Sequence, residues 1–290
     1  MSTKRSSRTN HFSGTEETAT PFTPNLFGKL ARYYDTLHRA RDYARETEFV
    51  RGVFQKFRDS ATSRTLELFC GTGAHSIPAA RHGLDVVGLD ISPDMLDIAR
   101  HKAAAEEVNI GFHLGDCRAM RFDGDFDLVF GFGQSLHYLV TYREIASALA
   151  GAHAALALGG ICIFDIINGW KMLERHQVEH YDITEDGTKI LRMARAEPER
   201  SRRIVLSEVT WVIQLPDGRL ELERTSEEYR ILFTDELAFL FEACGFETLG
   251  IYGDYAMDCS SSMDCLAVVV AARKVDTSPK GPYRWVVPVR

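Results

Sequence analysis

The chain lacks any apolar run long enough to cross a lipid bilayer. Its longest run, residues 265–272, has the length of a buried strand and falls short of the roughly 18 residues of a membrane-spanning helix. The amino-terminal stretch MSTKRSSRTNHFSGTEETATPFTP also lacks the apolar segment of a secretory signal. We therefore expect no membrane partner, and we interpret residues 1–24 as a flexible tail.

Paired cysteines of the metal-binding or redox kind are missing as well. The six cysteines lie at positions 70, 117, 162, 244, 259 and 265, and no two of them form a C-x-x-C motif. Most stand in apolar segments, where a free cysteine behaves as a small buried hydrophobe. The pattern predicts no metal site and favours the reduced environment of the cytoplasm.

The chain also lacks an excess of positive charge. The formal net charge is -7 and the isoelectric point is about 5.8. Affinity for nucleic acid depends on lysine and arginine side chains that neutralise phosphates. The composition therefore argues against a nucleic-acid partner.

What the sequence does contain is a regular alternation of short apolar runs and helical patterns. The predicted strands are residues 65–69, 85–90, 110–114, 126–132 and 160–165, and the predicted helices between them are residues 74–81, 93–107 and 142–157. A helical segment at 25–58 precedes them. This order predicts an α/β fold with a doubly wound parallel sheet and helices on both faces.

The pattern changes after Asn168. Residues 170–230 alternate apolar and polar positions around the turn pair of Asp217 and Gly218, which predicts an antiparallel β ribbon of three or four strands. A helix at 235–244 and strands at 247–252 and 265–272 follow. The predicted organisation is a tail (1–24), a core with amino-terminal helices (25–169), the ribbon as an inserted lid (170–230), the rest of the core sheet (231–273) and a second tail (274–290).

The stretch LELFCGTGAHS, residues 66–76, joins the first predicted strand to the first helix of the sheet. Gly71 and Gly73 permit a tight turn and the close approach of a ligand. A dinucleotide-binding loop has a third glycine where this chain has Ser76, and Glu67 would repel a pyrophosphate and attract a cation. No G-K-[ST] follows, which excludes a P-loop. The loop therefore predicts a nucleotide-type ligand without phosphate.

Two further acidic residues follow the second and third predicted strands. Asp90 can accept hydrogen bonds from both hydroxyls of a ribose, and Asp116 can accept one from the exocyclic amine of adenine. A cation site, a ribose site and an adenine site without a phosphate site match S-adenosylmethionine, which carries an ammonium and a sulfonium group.

Five motifs then occur in order: E-x-x-C-G-T-G, G-x-D-x-S-x-x-M-L, G-D-x-R, F-D-L-V and L-x-x-G-G. Over residues 30–170 they resemble the class I S-adenosylmethionine-dependent methyltransferases. The resemblance implies a Rossmann-like seven-stranded methyltransferase sheet with the ribbon as its lid. It implies a methionine-binding end formed by Tyr34, Glu67, Cys70, Gly71, Gly73 and Phe132. It implies a nucleoside-binding end formed by Asp90, Ile91, Met95, Asp116 and Cys117.

The stretch ARYYDTLHRARDYARE, residues 31–46, resembles the amino-terminal helices of small-molecule N-methyltransferases of the aminosugar and glycine/sarcosine type. In those enzymes the tyrosine of Y-D closes over the cofactor, and Tyr34 takes that place here. An aromatic face over a cation contributes about 0.5–2 kcal/mol. The alternative is a tyrosine that only packs helices.

The segment GFGQSLHYL, residues 131–139, follows the fourth strand and supplies Gln134, His137 and Tyr138 as candidates that face the transferred methyl group. His137 is the candidate general base, because the unperturbed pKa of histidine lies near 6.5, at about the pH of the cell. The resembling aminosugar enzymes carry their histidine one place later, where this chain has Tyr138. An N-P-P-Y motif, typical of nucleobase or protein-glutamine methylation, is absent.

Three aromatic residues of the ribbon complete the prediction. Trp170, Trp211 and Tyr229 either shape an acceptor pocket, or form the core of the ribbon or a contact in a homodimer. The leading hypothesis is methyl transfer to the nitrogen of a small molecule. Transfer to oxygen or carbon, a nicotinamide-dependent oxidoreductase, and a cofactor-binding regulatory protein without transfer activity are the alternatives.

Overall fold

A computed structural model describes residues 27–58, 64–122, 124–174, 177–185, 187–260 and 264–276. The tail predicted for residues 1–24 lies outside these ranges, as does nearly all of the tail predicted for residues 274–290.

The described strands, numbered in chain order, are β1 (Arg64–Leu68), β2 (Asp85–Asp90), β3 (Gly111–Leu114), β4 (Phe126–Gly131), β5 (Leu156–Ile167), β6 (Gln177–Glu185), β7 (Thr188–Glu199), β8 (Ile204–Gln214), β9 (Leu220–Arg230), β10 (Phe246–Gly253) and β11 (Ala267–Lys274). The described α-helices are α1 (Tyr34–Leu37), α2 (Tyr43–Phe57), α3 (Ser76–Arg81), α4 (Pro93–Ala105), α5 (Tyr142–Ala155), α6 (Gly169–Glu174) and α7 (Thr234–Ala243).

Seven strands form one sheet in the order β3-β2-β1-β4-β5-β11-β10. The first five pair in parallel, whereas β11 runs antiparallel to both β5 and β10. The chain order reverses between β1 and β4, so a crevice opens at their carboxyl ends. The predicted doubly wound, seven-stranded sheet is confirmed.

Helices cover both faces of this sheet, and its central strands β4 and β5 are buried on both sides. Phe49, Val53 and Phe54 of α2 pack on one face, against residues of β4, β5 and β11. Helices α5 and α7 pack on the other face. Burial of each large apolar side chain contributes about 1.5–3 kcal/mol to folding.

Local capping fixes where the helices begin. The Ser92 side chain accepts a hydrogen bond from the Met95 N–H, and Pro93 occupies the first turn of α4. Thr141 and Glu144 form a reciprocal capping box at α5. These caps hold the loops that precede α4 and α5 at the crevice.

The inserted segment forms a second sheet, an antiparallel meander in the order β6-β7-β8-β9. The turn between β8 and β9 uses Asp217 and Gly218, and Gly218 has a φ of 85° that favours glycine. The predicted antiparallel ribbon is confirmed with four strands. Residues 170–174 were expected at its beginning but belong to α6 instead.

The second sheet packs its inner face on the amino-terminal segment of the chain. Leu30 and Tyr33 contact a cluster on this face that includes Ile190, Val209 and Trp211. Helix α1 lies against β6. The amino-terminal segment is therefore held between the two sheets. Among the helices of the described ranges, none has both the length and the apolar character needed to span a membrane.

Candidate active site

A cavity of about 830 Å³ connects the carboxyl ends of the strands in the large sheet with the second sheet. The predicted site residues that line it are Tyr34, Gly71, Asp90, Ile91, Met95, Asp116, Cys117, Gln134, His137, Tyr138 and Tyr229. The predicted site residues that do not appear in its lining are Glu67, Cys70, Gly73, Phe132, Trp170 and Trp211.

The loop after β1 turns sharply at the floor of the cavity. Gly71 has a φ of 52°, and a Cβ atom there would have no neighbour closer than 4.0 Å, so a ligand can approach its backbone. Gly73 has a φ of 74° but faces away from the cavity, because a Cβ atom there would lie 3.2 Å from Phe112 and 3.3 Å from Ala99. Gly73 therefore permits close helix–sheet packing, and its contact with the cofactor stays a prediction.

Asp90 ends β2 and is held by the main chain. One carboxylate oxygen accepts a hydrogen bond from the Gly71 N–H at 2.8 Å and the other accepts one from the Ser92 N–H at 2.9 Å. Burial raises the pKa of Asp90, although these two donors oppose the shift. Each oxygen keeps a lone pair for a further donor, as two ribose hydroxyls require.

The side of the cavity beyond Asp90 combines apolar residues with an ion triad. Ile91, Met95 and Cys117 line it. The Arg118 guanidinium donates to Asp116 at 2.6 Å and to Glu144 at 2.6 Å. Burial alone would raise the pKa of Asp116, but the bonds from Arg118 outweigh it and lower the pKa. Asp116 therefore stays ionised next to the apolar residues of this side, and both of its oxygens accept hydrogen bonds from Arg118.

A cation, Arg41, lies at the opposite end of the cavity. Its Nε donates to both oxygens of Glu46, at 2.8 and 2.9 Å, and its Nη2 lies 3.5 Å from Asp165 and 3.2 Å from the Tyr255 hydroxyl. The Gln134 N–H, at a residue with a φ of 61°, donates to Asp165 at 2.8 Å. Among the described residues no partner of Nη1 is recorded, so it can donate to a ligand carboxylate.

Glu67 lies beneath the loop rather than in the cavity, which corrects its predicted place beside a ligand ammonium. It is only 1% exposed and accepts a hydrogen bond from the Ser76 hydroxyl. The His75 ring bridges Glu67 at 3.6 Å and Glu46 at 2.7 Å. Burial lowers the pKa of His75, but the two carboxylates outweigh burial and raise it. Glu67 thus belongs to a buried network behind Arg41.

Two more predicted cofactor contacts are packing residues. Cys70 is buried and lies close enough to Gly88 to exclude a side chain there. The Phe132 ring packs against His75 and Tyr255, with centroids 5.8 and 5.6 Å away. Both residues pack outside the cavity lining, and their contact with the cofactor stays a prediction.

A row of aromatic rings joins the two halves of the cavity. Tyr34 stacks on His38 at 4.3 Å and contacts Phe27 at 6.0 Å; Phe27 contacts Tyr138 at 5.1 Å, and Tyr138 contacts Tyr229 at 5.0 Å. Burial raises the pKa of Tyr34 to about 12, so its hydroxyl stays neutral. The row presents ring faces and neutral hydroxyls to any group placed between the sheets.

His137 lines the cavity, but both of its ring nitrogens bind the main chain. Its Nε2 accepts a hydrogen bond from the Ile167 N–H at 2.8 Å, so Nδ1 carries the proton and donates to the Arg230 carbonyl at 2.5 Å. Burial lowers the pKa of His137 to about 4. The ring has no lone pair left for a substrate proton, so the prediction of a general base at His137 is wrong in this geometry.

The second sheet contributes one wall of the cavity through Ala194, Val205, Ser207 and Tyr229. The Tyr229 hydroxyl donates to the carboxylate of Glu227, which is only 3% exposed. Burial raises the pKa of Glu227, and the bond from Tyr229 opposes the shift. This wall therefore carries a buried carboxylate directly behind a cavity-lining phenol.

The two tryptophans do not line the cavity, so the interpretation that they shape an acceptor pocket is not supported for them. Trp211 is fully buried in the packing between the second sheet and the amino-terminal segment, under the Arg192 guanidinium at 5.4 Å. Trp170 is 47% exposed and contacts Phe233 at 5.0 Å. Trp211 thus belongs to the core of the ribbon.

Sequence reasoning did not single out several cavity residues: Phe27, His38, Arg41, Arg118 and Glu144. His38 and Arg41 stand in the stretch that suggested Tyr34, and Arg118 stands in the G-D-x-R motif. No spacing rule connects them with the strand ends, because their positions depend on how the amino-terminal segment packs.

The residues present fit S-adenosylmethionine. Asp90 can accept from a ribose, the apolar side beside Asp116 can hold an adenine, and Arg41 can donate to the methionine carboxylate. The ring of Tyr34 suits a sulfonium, since aromatic faces attract cations. At the turn after β1, where a pyrophosphate would bind, the Gly71 N–H already donates to Asp90.

Comparisons with known proteins agree with a site for S-adenosylmethionine. The sequence profile of the methyltransferase-domain family matches residues 65–160. A protein of Geobacillus sp. (strain WCH70) that bears a provisional methyltransferase name is 26% identical over 235 residues, 81% of this chain and 94% of that protein. The dTDP-3-amino-3,4,6-trideoxy-alpha-D-glucopyranose N,N-dimethyltransferase of Streptomyces venezuelae is 31% identical over 137 residues, 47% of this chain and 56% of that protein.

Among solved structures, an S-adenosylmethionine-dependent methyltransferase from Clostridium acetobutylicum ATCC 824 has the same fold, with a TM-score of 0.73 and 17% identity. The match covers 86% of this chain and 98% of that one. The chain carries a methyltransferase domain at residues 65–160, and its fold is that of an S-adenosylmethionine-dependent methyltransferase.

Proposed function

We propose that this enzyme transfers the methyl group of S-adenosylmethionine to a nitrogen atom of a polar small molecule, with an amino sugar as the first class to test. The observation that carries the proposal is the cavity between the two sheets. One end offers the cofactor residues, and the other offers an aromatic row backed by the carboxylate of Glu227.

The size of the cavity supports a small acceptor. Its volume of about 830 Å³ falls in the range of about 300–1,000 Å³ that is usual for small-molecule sites. The second sheet covers the space in front of the crevice with the short side chains of Ala194, Ala196 and Ser207. A compact acceptor fits such a space better than a macromolecule does.

The charge of the wall supports an amine. A substrate ammonium would face the rings of Tyr138 and Tyr229 and the carboxylate behind them, all of which favour a cation. Bound S-adenosylmethionine supplies an electrophilic methyl group on a positively charged sulfur. The protein's own residues must orient the acceptor and exclude water, and positioning of this kind contributes about 7–11 kcal/mol.

The free-energy cost of deprotonating the amine is compatible with an enzyme that acts mainly by positioning its acceptor. An amine with a pKa of about 10.4 costs roughly 4.6 kcal/mol to present as the free base at pH 7. Positioning therefore contributes more than deprotonation costs, and a modest proton acceptor suffices. The Streptomyces venezuelae relative, whose name describes methylation of a sugar amine, supports nitrogen as the first acceptor to test.

The test is a turnover assay on matched pairs of acceptors. Purified enzyme would receive labelled S-adenosylmethionine with amino sugars, free and nucleotide-linked, and with the same sugars carrying a hydroxyl in place of the amine. We expect an N-methyl product by mass spectrometry from the amines, and no product with Asp90→Ala at the same cofactor concentration. Methylation of the hydroxyl partners at equal or greater rate would overturn the nitrogen assignment. Cofactor binding without any turnover would favour a regulatory protein.

A further inference from the structure

We propose that His38 accepts the proton that the acceptor amine loses, the role that the sequence had suggested for His137. This inference rests on the proposed methylation of an amine. It assigns a catalytic role to a residue at the end of the short helix α1, between the cofactor residues and the second sheet.

The hydrogen bonding of His38 fixes its tautomer. Its Nδ1 lies 2.9 Å from the carbonyl oxygen of Tyr34. Because a carbonyl oxygen can only accept, Nδ1 carries the ring proton and Nε2 carries the lone pair. Within the described part of the chain, Nε2 has no recorded hydrogen-bond partner. The ring lines the cavity.

The position of the ring suits proton transfer at the methyl-transfer point. It stacks on Tyr34, with centroids 4.3 Å apart and an interplanar angle of 31°. Tyr34 is within electrostatic reach of Asp90 and Asp165. His38 itself is within reach of Arg41 on the cofactor side and of Arg192 on β7. The ring therefore stands where the two halves of the cavity meet.

The charges around His38 keep the ring neutral. Burial lowers the pKa of His38, and Arg41 and Arg192 lower it further, whereas the bond to Tyr34 and the charge of Asp35 oppose the shift. These groups come from α1 itself, from the loop before α2 and from β7. A neutral imidazole at physiological pH is the form that can take up a proton.

The other polar groups of the cavity are less suited. Both nitrogens of His137 bind the main chain. The Tyr34 hydroxyl stays protonated, since its pKa is about 12. Glu227 accepts a hydrogen bond from Tyr229 and lies behind that ring. His38 is left as the lining residue with a basic lone pair on the aromatic row.

The step balances as follows. The substrate R–NH3⁺ gives one proton to His38 Nε2, and the freed nitrogen lone pair forms the N–C bond to the methyl carbon. The C–S bond breaks, and its electron pair stays on sulfur, which gives neutral S-adenosylhomocysteine and R–NH2–CH3⁺. The imidazolium of His38 then releases its proton to water.

The first test needs no acceptor. Sinefungin carries an amine where S-adenosylmethionine carries the reactive methyl, and S-adenosylhomocysteine carries nothing there. We expect His38→Asn, which keeps a donor for the Tyr34 carbonyl, and His38→Phe, which keeps the ring contact, to bind sinefungin about tenfold more weakly in calorimetry, the size of one hydrogen bond to a charged group. Affinity for S-adenosylhomocysteine should change less than about twofold, since the lost bond involves only the amine.

The control is His101→Asn, at an exposed position of α4. If both His38 variants keep the wild-type ratio of sinefungin to S-adenosylhomocysteine affinity, the proposal is overturned. A lower ratio of sinefungin affinity to S-adenosylhomocysteine affinity in either folded variant supports the proposal.

A second readout separates this inference from the proposed function. With an amine acceptor from the turnover panel, kcat/KM of the wild type and of His101→Asn should level off once His38 is neutral. In His38→Asn it should keep rising toward the pKa of the amine, because only the free amine can then react. A His38→Asn profile that levels off as in the wild type would contradict the role of His38 and leave nitrogen methylation intact. The two results can also differ. If no amine in the panel is methylated but the His38 variants bind sinefungin more weakly relative to S-adenosylhomocysteine, the proposed acceptor class is overturned and His38 is supported as the group that faces the amine.

Discussion

The main-chain N–H of Gly71 donates a hydrogen bond to the carboxylate of Asp90 over 2.8 Å. This bond ties the loop after β1 to the end of β2. It also orients the Asp90 oxygens, so the same carboxylate shapes the floor of the cavity and can bind a ligand there.

We predict that Asp90→Ala weakens the binding of S-adenosylhomocysteine by about 1.5–3 kcal/mol, because it removes at least one hydrogen bond between the ribose and a charged group. Isothermal calorimetry measures this directly. Asp85→Ala, at the exposed opposite end of β2, is the matched control and should bind normally. Equal affinity of the Asp90 variant and the control would remove the ribose assignment.

Arg41 gives a second prediction about the cofactor. If Arg41 holds the methionine carboxylate, Arg41→Lys should lose about tenfold in affinity for S-adenosylhomocysteine, since the guanidinium fork is lost. Affinity for methylthioadenosine, which has no carboxylate, should stay near the wild-type value. Arg39→Lys, an exposed neighbour, is the control. If Arg41→Lys loses affinity equally for both ligands, Arg41 stabilises the loop and does not contact the carboxylate.

The part of the site that follows strand ends could be predicted from the sequence. Gly71 and Asp116 lie two or three residues after β1 and β3, Asp90 is the last residue of β2, and the carboxyl ends of parallel strands meet at one edge of a sheet. Their placement needs only the strand pattern, which the hydrophobic periodicity supplies. The order of helices and strands was predicted to within a few residues for the same reason.

Residues whose partners come from distant segments could not be placed in this way. Glu67 was expected to face a ligand, but Ser76 and His75 take its oxygens. His137 was expected to be a base, but Ile167 and Arg230 supply main-chain partners that only tertiary packing brings near. Side-chain hydrogen bonds of this kind depend on the packing of whole elements, which local pattern does not determine.

The His137 geometry predicts a specific dependence of stability on pH. Its folded pKa of about 4 lies below the unfolded value near 6.5, so the unfolded state binds more protons between these values. The stabilisation is complete above about pH 6.5 and is lost as the pH falls toward 4, by about 3 kcal/mol in all.

His137→Gln keeps a donor and an acceptor for the two main-chain groups but does not titrate. Urea unfolding between pH 7 and pH 4 should therefore show a shallower acid loss for this variant than for the wild type. His101→Gln, which changes an exposed histidine of α4, controls for general effects. The same acid slope in wild type and His137→Gln would contradict the buried, doubly bonded ring.

The carboxylate behind Tyr229 gives the last prediction. Glu227 is 3% exposed and shares a hydrogen bond with the Tyr229 hydroxyl, on the wall that faces the acceptor. A negative charge there stabilises a bound ammonium by roughly 1–2 kcal/mol at the effective dielectric constant of a protein. Glu227→Gln should therefore raise the KM for a cationic amine about tenfold, and leave affinity for S-adenosylhomocysteine unchanged.

Glu208→Gln, on the exposed outer face of β8, tests whether any loss of charge on the sheet has this effect. If the two variants raise KM equally, or if neither does, the Glu227 carboxylate has no part in acceptor binding, and the wall recognises its substrate through the aromatic rings alone.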